Sequence, residues 1–249
     1  MCKIKVSRLF RINLIKKEFF TYQNFFVFTL LLLFVLNSCD SARKPKNFKE
    51  GVIEYQISYL DSLPPKYDPS LRPDKMIIKY KENCTMNRIE GLSGRVSFTF
   101  IQNYSNQTIT SLIKLMNKKL YYQESINPGQ YPAAYSEMPR IQVEELNETE
   151  QFMGYTCFKA LATFQDSSAS SFEVLYTKEI CIENPNQNTP FESIDGVMLK
   201  FGAKLFEQNM RISAVSIKPG KVSKDDFLIP QDYESVTKET IYDVIYLMK

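Results

Sequence analysis

From Gly51 onward the apolar positions recur with a period of two. Val52, Glu54, Gln56 and Ser58 alternate with Ile53, Tyr55, Ile57 and Tyr59, the pattern of a strand with one buried face. Shorter strands are predicted over residues 75–80, 84–90, 95–102, 108–114 and 119–124, with Gly, Asn and Ser in the spacers, which suggests an antiparallel meander. Two Pro-rich stretches interrupt it: one carries Pro64, Pro65, Pro69 and Pro73, the other Pro128, Gly129, Pro132 and Pro139. The second, residues 127–140, reads as a surface connection, with a mobile flap as the alternative. Further strands are expected over 196–205 and 208–217, and Pro230 ends the segment that follows. In the tail from Thr237, Ile241, Val244, Ile245 and Met248 fall at helical spacing and predict a short amphipathic helix on the sheet.

The plainest hairpin joins residues 155–164 to 172–182 through the polar turn QDSSASS. Its even positions are mostly apolar, including Phe158, Ala160, Ala162 and Phe164, then Phe172, Val174, Tyr176, Ile180 and Ile182. A one-residue slip would reverse the faces, so burial sets even against even. Pairing Phe164 with Val174 places Lys159 against Glu179, a favourable cross-strand pair. The same register sets Cys157 against Cys181, where an oxidising compartment permits a disulfide. The alternative is two half-buried thiols.

The first forty residues follow another logic. Lys3, Lys5, Arg8, Arg11, Lys16 and Lys17 precede the uncharged run FFVFTLLLLFVL at 25–36 and then Leu36-Asn37-Ser38-Cys39. A basic start, a short apolar stretch and a small residue before the cut form a signal peptide. With Cys in the first mature position it is a lipobox: cleavage falls between Ser38 and Cys39, and the Cys39 thiol carries the lipid. A spanning helix would need about 20 apolar residues, more than this run supplies. The chain thus divides into a signal peptide (1–38), a lipidated tether (39–50) and one β domain (51–249), and is expected in the cell envelope.

Cleavage changes the charge. Residues 1–38 hold six of the 31 basic residues and one of the 28 acids, so the net +3 of the full chain becomes −2. No basic patch stands out, and no nucleic-acid partner is expected. The chain contains no histidine, which excludes Ser-His-Asp and Cys-His catalysis and His-based metal sites. Cys84, Cys157 and Cys181 lack CxxC spacing, and neither GxGxxG nor GxxxxGK[ST] occurs. No metal, no cofactor and no catalysis are expected. Asp-Ser-aliphatic triplets at Asp40 and Asp61 are similar to a bacterial O-glycosylation sequon, and read otherwise as polar loop.

Gly154-Tyr155-Thr156-Cys157-Phe158-Lys159-Ala160, Val174-Leu175-Tyr176-Thr177-Lys178-Glu179-Ile180, Ile194-Asp195-Gly196-Val197-Met198-Leu199 and Phe227-Leu228-Ile229-Pro230 with Tyr233 resemble, over residues 150–235, segments of envelope lipoproteins of the GLPGLI family; the literal GLPGLI string is absent. The resemblance implies a mainly β fold similar to the LolA/LolB/LppX lipoprotein carriers: a single curved antiparallel sheet, a half-open barrel, here with a short C-terminal helix. It further implies a concave face able to hold a lipid or other hydrophobic molecule. On this chain the face would carry Phe158, Phe164, Phe172 and Tyr176, although strand aromatics more often fill a core. The alternative is a structural or partner-binding subunit of an outer-membrane assembly or export complex, using a sheet edge.

Overall fold

The computed structural model describes residues 48–60, 72–127, 129, 131–135, 138–205 and 208–246. They fall in one compact unit, Lys44–Lys249. Ser38 and Cys39 lie outside the described residues. Among the described residues, no helix is long and apolar enough to cross a membrane.

Twelve strands of the described residues form one large, open, curved sheet. A first meander runs through β1 (Gly51–Tyr59), β2 (Pro73–Lys81), β3 (Cys84–Gly91), β4 (Val96–Asn103), β5 (Thr108–Leu115) and β6 (Lys118–Ser125). A second runs through β7 (Ile141–Phe152), β8 (Tyr155–Phe164), β9 (Ser171–Thr177), β10 (Val197–Leu205) and β11 (Gln208–Pro219). Antiparallel pairing of β1 with β11, from Gly51↔Pro219 to Tyr59↔Met210, joins the two. The order β12-β6-β5-β4-β3-β2-β1-β11-β10-β9-β8-β7 does not close into a barrel. All pairs are antiparallel except the last: β12 (Glu234–Ser235) lies parallel to β6.

Alternation explains the inner face. Tyr55, Met76, Ile89, Phe98, Ile113 and Leu120 oppose one another across successive strands from β1 to β6, and all are buried. The tight β7–β8 turn puts Met153 (φ 52°) and Gly154 (φ 86°) in the left-handed region between the paired Phe152 and Tyr155. That is the geometry a two-residue hairpin turn needs to match strand twist.

The connection from β6 to β7 crosses from one edge of the sheet to the other. Ten inter-strand steps of about 4.8 Å separate those strands along the sheet, about 48 Å. Residues 126–140 could span that only if almost fully extended, at about 3.3 Å per residue. They include a 3-10 turn at Ala133–Tyr135, so the sheet must curl to bring its edges together. Among its described residues Ala133, Tyr135 and Met138 are buried, so this part is no plain surface connection. Ala133 packs beneath the C-terminal helix, and Tyr135 and Met138 enter the core that β1–β3 share with the second meander.

The C-terminal residues clasp the β6 edge. Phe227, Ile229 and Tyr233 pack on Met86, Ile101 and Leu112, on the outer face. Lys79 pairs with Asp226 and Lys119 with Asp232. The chain then turns the edge through β12 and enters helix α1 (Lys238–Tyr246). Ile241 and Ile245 are buried against Phe98, Phe100, Ile113 and Leu120 on the inner face, as the helical spacing predicts. The Thr237 hydroxyl accepts the Thr240 N–H at 3.3 Å, capping the helix start. Met248 lies outside the described residues.

Besides the two-residue β12, one strand, β7, was not expected. It is an edge strand with Glu144, Glu145, Glu148 and Glu150 and a bulge between Leu146 and Thr149, features that discourage pairing with another chain.

Candidate functional site

The β8–β9 hairpin keeps even against even, but in a register four residues away from the expected one. Phe158 pairs with Tyr176 and Thr163 with Ser171. The turn sets this register: Asp166 Oδ1 accepts the Ser168 N–H at 3.0 Å, and the Phe164 N–H donates to Ser170 O at 3.0 Å. Strand β9 therefore ends at Thr177, before Glu179 and Cys181. The expected Cys157–Cys181 disulfide is corrected: Cys157 is a buried free thiol. Burial and the nearby Glu150 carboxylate push that thiol up to about 11. Lys159, expected against Glu179, instead opposes Leu175 and lies among Glu150 (3.1 Å), Glu173 (3.5 Å) and Glu148 (3.7 Å).

Strands β9 and β10 pair at three positions only: Val197↔Thr177, Met198↔Tyr176 and Lys200↔Leu175, with a bulge between the last two. Beyond Lys200 they part. Ser171–Val174 stay on β8, and Phe201–Leu205 stay on β11. The bulge starts the divergence, because an extra residue bends and twists its strand. Phe172 holds the strands apart: a Cβ on Gly202 would lie 2.6 Å from the ring's Cγ, so only glycine fits beneath that ring.

A half-open cleft of about 640 Å³ occupies the fork. Phe164, Phe172, Phe201, Ala203, Met210 and Leu60 supply its apolar surface. Phe164 and Phe172 meet at 5.0 Å between ring centroids, and Phe191 packs edge-on against Phe201 at 5.4 Å. The rim carries Lys200, Arg211 and Glu173, with Lys200 Nζ 3.9 Å from the Glu173 carboxylate. Across the fork, Asp166 in the β8–β9 turn pairs with Lys204 on β10 at 2.8 Å. Hydrogen bonds from Lys204 and then Ser168 hold the Asp166 carboxyl at about 2.

Two of the four aromatics expected to hold a ligand, Phe164 and Phe172, line this cleft; Phe158 and Tyr176 do not. They stack on each other at 5.7 Å. The Tyr176 hydroxyl donates to Glu145 at 2.9 Å, and burial pushes it up to about 12. Around Phe164 and Phe172, much of the inner face is packed core rather than open bowl: Tyr55, Phe191 and Phe201 are buried in one continuous cluster. The β10 and β11 contributors were not anticipated. Their signal was Gly202 inside an apolar strand, which marks close approach of another group.

A second depression, lined by Arg95, Lys114, Met116, Asn117 and Lys119, is basic and has no aromatic floor. Among the described residues, no group of three or more Cys, Asp or Glu is placed to hold a metal. The cleft itself brings Ser170, Ser171, Glu173 and Lys200 together without a histidine.

No family model matches the chain, and no curated protein matches it. Among solved structures it is similar to PNGF-II in two crystal forms. In space group P21 the identity is 15% and the TM-score 0.49, over 80% of this chain and 34% of that one. In space group C2 the identity is 14% and the TM-score 0.49, over 80% and 33%. The chain spans about a third of the length of those structures. A likeness this slight bears on neither fold nor activity.

Proposed function

We propose that this chain is a non-catalytic lipoprotein of the bacterial cell envelope, anchored in the outer membrane through lipid on Cys39. It binds a lipid or other hydrophobic molecule in the β9–β10 cleft. The observation that carries this reading is the cleft's two-part lining, an aromatic floor beside a charged rim. Its volume lies within the usual 300–1,000 Å³ of small-molecule sites. The lipobox at Leu36–Cys39 and the resemblance of residues 150–235 to GLPGLI-type lipoproteins support the anchoring and the compartment.

Titration with N-phenyl-1-naphthylamine tests the binding: its fluorescence should rise saturably and fall when oleate is added. Ala203→Trp, which fills the floor, should weaken binding at least tenfold. Leu60→Asp should weaken it without harming the fold, because Leu60 is 57% exposed at the mouth. Saturable binding that neither substitution alters would place the ligand elsewhere. Cys39→Ser should abolish palmitate labelling and release the protein from membranes.

A further inference from the structure

We infer that the natural occupant of the cleft is an extended polypeptide segment of a partner protein, seated in the fork as an added strand along the free edge of β10. This rests on the reading that the cleft is a binding site. The argument for a polypeptide over an acyl chain comes from the backbone. Between Phe201 and Lys204, β10 is laddered to β11 on one side, but no ladder pair joins it to β9 on the other. Phe201, Gly202 and Ala203 are nonetheless buried. Strand backbone presents half of its N–H and C=O groups to each side, and a buried group left unmatched costs about 1–3 kcal/mol. An acyl chain offers these groups nothing. An extended peptide offers donors and acceptors at the matching spacing, over about 13 Å for four residues at about 3.3 Å each.

The lining also predicts the peptide's pattern. Along β10 and β11, Phe201↔Ile212 and Ala203↔Met210 face one way, while Lys200↔Ser213 and Gly202↔Arg211 face the other. An added strand would meet aromatic and aliphatic groups at every second residue and cationic groups at the alternate ones. Two cations, Lys200 and Arg211, stand against one carboxylate, Glu173, so the expected partner segment alternates apolar with acidic or hydroxyl residues. Two features must yield on entry. Phe172 must rotate off Gly202, and the Asp166–Lys204 pair that spans the fork must part. That pair is partly exposed, and such pairs hold weakly.

Selection of displayed nonapeptides of alternating apolar and randomised positions, against the intact protein, tests this. Enriched peptides should carry acidic residues at the alternate positions. N-methylation of one alternate set of amides in a synthetic winner should weaken binding at least tenfold, and of the other set less than twofold. A Lys200→Glu, Arg211→Glu variant should instead select peptides with basic residues, a gain that a misfolded protein cannot give. If no peptide is enriched while oleate still displaces the naphthylamine probe, the polypeptide inference is overturned and the ligand-binding reading stands. Peptide binding indifferent to N-methylation also overturns it. If neither peptide nor probe binds, the cleft is not a binding site and both readings fall.

Discussion

The long segment between β9 and β10 has no regular structure, yet it is fixed in place, and Asn186 is the residue that fixes it. Its side-chain amide donates to Ile194 O at 2.7 Å and to Gly196 O at 2.9 Å. Its own carbonyl accepts the Thr189 hydroxyl at 2.7 Å, and Thr189 in turn accepts the Phe191 N–H at 3.1 Å. Phe191, 1% exposed, then packs against Phe172 and Phe201 beside the cleft. Asn186→Ala takes the donor from the buried Gly196 carbonyl, at about 1–3 kcal/mol, while Ile194 O keeps the Gly196 N–H at 3.1 Å, so the expected loss is about 1–3 kcal/mol. For a domain of this size, that lowers the thermal midpoint by about 2–12 °C. Asn186→Asp keeps the shape and reverses the polarity, setting a carboxylate against two carbonyl oxygens. It should cost more than Ala at pH 7, and the excess should shrink as the pH falls towards the ordinary carboxyl value of about 3.9, because the folded protein regains a proton to donate before the unfolded chain does. Thermal denaturation followed by circular dichroism at pH 7 and pH 3.5 reads both. Asp and Ala variants equal in stability at pH 7 would refute the donor role given to the Asn186 amide.

Two other groups give independent checks. Asp166 is held at about 2 by Lys204 and Ser168, below the ordinary carboxyl value of about 3.9, so its contribution is complete above that value and disappears as the pH falls to about 2. Asp166→Asn should melt earlier than the parent above pH 4 and converge with it near pH 2; a gap that persists at pH 2 contradicts the pairing. Cys157, buried with its thiol near 11, should resist Ellman's reagent at pH 8 until denaturant is added, and mass-mapped labelling at the same rate as half-buried Cys84 would show that the burial is wrong.

Much of the architecture was readable because burial imposes a period. Ile53, Tyr55 and Ile57 in β1, and Ile241 and Ile245 in α1, announce their elements by spacing alone. Register was not readable in the same way. Sliding β9 by four residues against β8 preserves every inward side chain, so the apolar pattern cannot tell Phe164 opposite Val174 from the observed pairing. The choice was made by Asp166 and Ser168 in a turn whose hydrogen bonds leave no periodic trace. Strand β7 escaped for the opposite reason: the alternation of Ile141 and Val143, which pack on the core, stops at Glu144-Glu145 and the bulge between Leu146 and Thr149, too short a run to detect. The cleft was half legible. Phe164 and Phe172 are visible as strand aromatics, but Phe201, Gly202 and Arg211 become part of a site only because two strands stop pairing, and an absence of pairing has no residue type of its own.

The C-terminal clasp has a kinetic consequence. The first meander is finished on its outer face by Phe227, Ile229 and Tyr233, on its edge by Glu234–Ser235, and on its inner face by Ile241 and Ile245. Its strand β1 must also await β11, as Gly51 meets Pro219. The part of the chain made first can therefore settle only after the part made last has arrived. Pairings so distant in sequence fold slowly. A chain released even ten residues early would keep its strands but lose the seal over Phe98 and Leu120, and become prey to proteases or to its own copies.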